Sequence, residues 1–143
     1  MANSYGSVTS LTGNANSLAN QAFASLGVID FGSAPPHECF IEVSLQPSGS
    51  VPSGPQRAVI YCRSSVDGTN FSVTPSASEI LNAGLVGVVS LPNNAARRSL
   101  AFPLSPVFGG ALPPKVEIFV QNDCGVALAS SGQVGQYRTE TFG

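Results

Sequence analysis

Charge is scarce in this sequence. Six residues are Lys or Arg and eight are Asp or Glu, 10% of 143, against roughly 25% in an ordinary soluble domain. Lys115 is the sole lysine; the other cations are Arg57, Arg63, Arg97, Arg98 and Arg138. Nucleic-acid binding needs a basic footprint, and none is visible, so no nucleic-acid partner is expected. No stretch approaches the roughly 20 apolar residues of a membrane helix, so no membrane partner is expected either. The first seventeen residues lack a basic start and an apolar run and are not expected to be a secretory signal. Tryptophan is absent and histidine occurs once, as His37. The three cysteines, Cys39, Cys62 and Cys124, are odd in number and far apart. That excludes an ordinary disulfide framework and a CxxC zinc site, and predicts buried thiols in a protein made in a reducing cytoplasm.

Small polar residues, glycine and proline fill the space that charge leaves. Fifteen Gly and eleven Pro argue against long helices and for short strands joined by turns. Low charge with a mean hydropathy of +0.20 predicts a chain that works within an assembly, since solubility of a free monomer favours charge. Residues 1–24 are rich in Ser, Asn, Ala and Gly, with spaced apolar positions at Tyr5, Val8, Leu11, Leu18 and Phe23. They read as an N-terminal arm, extended or partly helical, ahead of a domain over 25–143.

Beyond the arm the period changes to two. In HECFIEVSLQ, 37–46, the residues Cys39, Ile41, Val43 and Leu45 take one face, with Glu38, Glu42, Ser44 and Gln46 on the other. RAVIYCRSS, 57–65, places Ala58, Ile60 and Cys62 opposite Val59, Tyr61 and Arg63. Asp67-Gly68 then predicts a type I′ turn, with 69–73 returning as the partner strand. Further strands are predicted at 26–32, 85–92, 96–104, 115–123, and in GVALASSG and QVGQYRTETF, with Pro103 at an edge or strand end. Residues 74–84 read as a loop with one helical turn, and 105–114 as a long loop with exposed apolar side chains. Eight or nine short strands at such spacing predict an all-β fold, an antiparallel β-sandwich of jelly-roll type with an N-terminal arm.

Chemistry is sparse. His37-Glu38-Cys39 lacks the HExxH spacing of a zinc site; a Cys–His nucleophile pair would need a third, orienting residue that the sequence does not offer. Several of the eight carboxylates sit at turns or on predicted outer strand faces, and their spacing gives no support for a glycosidase pair. No cofactor, metal or catalytic residue is assigned. Asn70-Phe71-Ser72 matches a glycosylation sequon. Tyr61, Phe71, Phe102 and Phe119 offer either a sugar platform or core packing, with core the commoner use.

Two segments carry a family resemblance. IYCRSSVDGTNFS, 60–72, looks like strand–DGT–strand hairpins of phage virion proteins. RRSLAFPLSPVFGGALPPKVEIFVQNDCGVALASSGQVGQYRTETFG, 97–143, resembles capsid cement (decoration) proteins of short-tailed phages, including that of a Bordetella phage. The resemblance implies a non-enzymatic virion protein on the capsid surface, bridging subunits of the major capsid protein, often as a homodimer. Candidate capsid or subunit contacts are Tyr5, Val8, Leu11, Leu18 and Phe23 in the arm, Arg97 and Arg98 before a strand, and Val107, Phe108 and Leu112 in the 105–114 loop. The alternative is a carbohydrate- or receptor-binding module of a phage tail or fibre.

Overall fold

The computed structural model describes residues 2–72, 83–94 and 96–143. They form nine strands in two antiparallel sheets: β1 (Ser4–Tyr5), β2 (Thr9–Ser10), β3 (Phe23–Asp30), β4 (Glu38–Leu45), β5 (Arg57–Ser65), β6 (Gly84–Ser90), β7 (Arg98–Pro103), β8 (Lys115–Asp123) and β9 (Val134–Thr141). Sheet A runs β1-β9-β4-β7, with β2 also on β9; sheet B runs β3-β8-β5-β6. With β1 and β2 taken as two runs of one strand, the chain alternates between sheets at every step except β5 to β6. That interleaving of four strands with four is the jelly-roll arrangement.

Alternation explains the core. Cys39, Ile41, Val43 and Leu45 of β4, Ala58, Ile60 and Cys62 of β5, and Val116, Ile118 and Val120 of β8 are all buried between the sheets. Each large aliphatic side chain so buried contributes about 1.5–3 kcal/mol. In β3 a bulge between Ser25 and Gly27 restores the phase, so that Leu26 and Ile29 both point inward. Phe119 faces outward from β8 yet is buried, because Phe23 packs edge-on against it at 6.0 Å and the Arg63–Glu117 ion pair (2.6 Å) closes over that face. Pro103 sits on β7, an edge strand, where its missing N–H costs no ladder bond.

Several expectations change. Residues 69–72 contain no strand; Ser72 N–H donates to Ser64 O (2.9 Å), and residue 73 lies outside the described residues. The partner of β5 within the anticipated hairpin is instead β6. Among the two turn residues Gly68 has positive φ and Asp67 does not, which rules out type I′. The Asp67 carboxylate gathers N–H groups of Asn70 and Thr69 at 2.7 and 2.8 Å. Those bonds, that of the Asn70 backbone foremost, hold its pKa below the usual carboxylate range. The helical turn anticipated in 74–84 falls mostly outside the described residues. GVALASSG forms no strand, only an isolated bridge between Leu128 and Pro47. The 105–114 loop begins with a 3-10 turn, Ser105–Phe108. Its apolar residues turn inward: Leu112 is buried, and Val107 and Phe108 lie half-buried against the core.

Among the described residues, 2–24 carry no helix. The break placed between residues 24 and 25 falls inside β3. Leu11 and Ala15 are buried in the core. N–H groups of Leu11, Gly13, Ala15 and Ser17 donate to carbonyls of Gly135, Leu26, Gln133 and Ala129 at 2.8–3.0 Å. Asn16 and Asn20 accept from N–H of Gln133 (3.0 Å) and Gly125 (2.8 Å). The segment stitches β3, β9 and the 124–133 turn region together. Gly13 is required there, since a Cβ would lie 2.4 Å from Ser25 O.

Candidate functional site

Among the described residues no three His, Cys, Asp or Glu converge as a metal site. His37 Nδ1 accepts Phe142 N–H at 3.0 Å, and the two rings stack at 4.9 Å. Cys39 is fully buried, and burial, reinforced by the Glu38 charge, pushes its thiol up to about 12; Cys62 is likewise raised to about 12 by burial. A nucleophilic cysteine needs the opposite shift. Native protein at about pH 8 should therefore leave Cys39 and Cys62 unlabelled by a disulfide exchange reagent. Labelling should appear only at the rate of global unfolding; rapid reaction in buffer would contradict this packing.

Glu38 is engaged as well: its carboxylate accepts from N–H of Leu104 (3.1 Å) and Ser105 (2.8 Å) and from Ser105 Oγ. Asp123, Glu117 and Asp30 pair with Arg57, Arg63 and Lys115. Of the four aromatics weighed as a sugar platform, Tyr61 and Phe119 are register partners on the outer face of sheet B, and Phe71 lies beside them on Arg63, whereas Phe102 belongs to sheet A. Phe119 is buried, Phe102 packs where a Cβ on Gly87 would stand, and Phe71 covers the Arg63 guanidinium at 4.2 Å.

The outer face of sheet A is different. The register brings outward-facing Phe40, Glu42 and Ser44 of β4 beside Val134, Gln136 and Arg138 of β9 and Ser99, Ala101 and Pro103 of β7. Tyr5 and Val8, from the N-terminal run, extend the face along β9. Its centre is two adjoining shallow depressions of about 250 and 160 Å³ that share Glu42 and Gln136. Gln136 Nε2 donates to Glu42 Oε1 at 2.7 Å, and Ser99 Oγ to Ser44 Oγ at 3.0 Å. Arg138 lies 4.2 Å over the Tyr5 ring. Around this polar floor Tyr5, Val8, Phe40 and Val134 are exposed by 55, 57, 37 and 43%. These are four of the eleven large apolar residues exposed among the described residues, and they make this face a candidate contact surface.

Of the contacts anticipated from sequence, Tyr5 and Val8 lie on this face. Leu11 and Leu112 are buried; Leu18, Val107 and Phe108 pack against the same core. Phe23 belongs to the outer face of sheet B, against Phe119. Arg97 donates to carbonyls of Gly132 and of Ser131 (3.2 Å) in its own chain, and Arg98 is exposed on the β7 edge. Phe40, Val134 and Arg138 were legible only as positions on the polar side of an alternating strand. Phe40 carries the one available signal, an aromatic in the register otherwise held by Glu38, Glu42 and Ser44.

No protein-family model matches this sequence, and no curated protein does. Among solved structures the chain is similar to the C-terminal domain of EclA, a sugar-binding protein, at 12% identity and a TM-score of 0.36, over 99% of this chain and 81% of that one. The jelly-roll assignment rests on the strand pairings themselves.

Proposed function

We propose that this chain is a structural virion protein that decorates the outside of a phage capsid, docking through the outer face of sheet A and bridging neighbouring major capsid subunits as a homodimer. The observation that supports this reading is the face itself. It sets Tyr5, Val8, Phe40 and Val134 around a weakly charged floor, and protein interface cores favour aromatics and Arg while excluding other charges. Strands β4 and β9 hold the side chains on a rigid frame, so docking loses little freedom to loop ordering. Repetition over many capsid sites multiplies a modest single contact into firm attachment. The chain forms and breaks no covalent bond in this role.

Cosedimentation with capsids stripped of decoration tests it. Wild-type protein should pellet with the shells in saturable amount. Val8→Asp with Phe40→Asp, at two exposed sites, should lower affinity at least about tenfold, as loss of interface anchors does, while the melting temperature stays within a few degrees. Unchanged binding by that variant would refute the assigned face. Binding to isolated tails instead of shells would favour the alternative, a receptor- or carbohydrate-binding module of tail or fibre.

A further inference from the structure

On the side of sheet A away from that face, the sandwich gapes. Inward positions of a sandwich strand are ordinarily apolar. In β9 they are Gly135, Tyr137, Thr139 and Thr141, set opposite Val43, Ile41 and Cys39 in the register. Tyr137, Thr139 and Thr141 floor a groove of about 570 Å³, walled by Ser7 and Thr9 on one side and by Asp30, Phe31 and Pro35-Pro36 on the other. The volume falls in the range of about 300–1,000 Å³ common to small-ligand sites.

Five hydroxyls converge here: Ser7, Thr9, Tyr137, Thr139 and Thr141. None of the five side chains has a hydrogen-bond partner among the described residues. By contrast Ser25, Ser65 and Ser105 elsewhere each donate to a carboxylate. Asp30 is already engaged, by Lys115 at 3.5 Å and by Gly32 N–H at 2.9 Å, so the groove offers no unpaired charge to an ionic ligand. Each hydroxyl can both donate and accept, which complements a ligand made of hydroxyls. The Phe31 and Tyr137 rings and the two prolines supply apolar faces for C–H groups. We infer that this groove is a binding site for a neutral saccharide. It shares Tyr137 with the smaller depression of the docking face but opens on the inward side of sheet A, and it would add glycan capture to a decorating protein.

The test is a two-dimensional NMR titration of the full chain with glucose, galactose, mannose, N-acetylglucosamine, maltose and lactose. At least one should give saturable shifts confined to Ser7, Thr9, Phe31, Tyr137 and Thr139. Thr139→Val with Thr141→Val removes two hydroxyls at nearly constant shape and should weaken that binding about tenfold or more, with shell binding intact. A disaccharide that binds more tightly than its monosaccharide points to a glycan chain as the source, and equal affinity to a free sugar. The inference fails if no sugar saturates, if shifts map to Phe40 and Gln136, or if the double variant binds sugar as wild type does. It also fails if that variant loses the capsid, which would make the groove a protein contact. Loss of shell binding by the Val8 and Phe40 variant leaves this titration unaffected.

Discussion

Excision of residues 2–16 should leave a chain that does not fold, although those residues read as part of an N-terminal arm. Leu11 and Ala15 lie inside the core, and backbone bonds from Leu11, Gly13 and Ala15 reach β9, β3 and the residue just before β9. Point variants give graded versions of the same result. Leu11→Ala should cost about 2–5 kcal/mol, the range for truncating a buried leucine. Gly13→Ala should cost about 1–3 kcal/mol or more, because its new methyl meets backbone on β3, which cannot rotate aside. Urea unfolding followed by circular dichroism measures each. A truncated chain that unfolds at the wild-type midpoint would show that the segment is an ornament on the sandwich.

The second large effect is expected at Asn122, fully buried in β8. Its Nδ2 donates to carbonyls of Leu18 (2.9 Å) and Val126 (2.7 Å), while Oδ1 accepts Cys124 N–H (3.1 Å). One amide thus satisfies both the N-terminal segment and the turn after β8. Asn122→Asp keeps the shape and removes both donors, leaving two carbonyls facing a carboxylate. An unsatisfied buried polar group costs about 1–3 kcal/mol, and an unpaired buried charge more. The expected loss at neutral pH is about 3–5 kcal/mol, or about 10 °C or more in melting temperature. The penalty should depend on pH. Burial beside carbonyls favours the protonated acid, so the introduced group has a raised pKa in the folded state. Stability of the variant relative to wild type should then fall as pH rises above about 4, the ordinary Asp value. It should level off once the folded form ionises. A penalty that is flat from acid to neutral pH would contradict a buried, donor-deprived site.

Strands β4, β5 and β8 were legible in the sequence because apolar residues recur at every second position of each, so that period two records which face meets the other sheet. Pro103 was legible as an edge for a similar reason. The N-terminal segment was not. Its place is fixed by backbone bonds and by Asn16 and Asn20, and such bonds leave no hydrophobic period. The Asp67-Gly68 pair misled because turn chemistry is local: its carboxylate closes a loop on Asn70, and β5 takes its second partner from β6, which begins only at Gly84. The contact face was half legible. Tyr5 and Val8 stood out as apolar residues in a polar stretch, whereas Phe40 was hidden by its polar neighbours on β4. The hydroxyl row of β9 was invisible, since threonine suits either face of a strand and only the register with Ile41 and Cys39 shows that it points inward.

The central claim is that this jelly roll acts by lying with the outer face of sheet A against a capsid. An electron-microscopy reconstruction of the purified virion, at a resolution that separates strands, tests it most directly. Jelly-roll density is expected on the shell exterior, with Tyr5, Val8, Phe40 and Val134 turned toward major capsid subunits. Density on the tail, or on the shell with that face open to solvent, would contradict it.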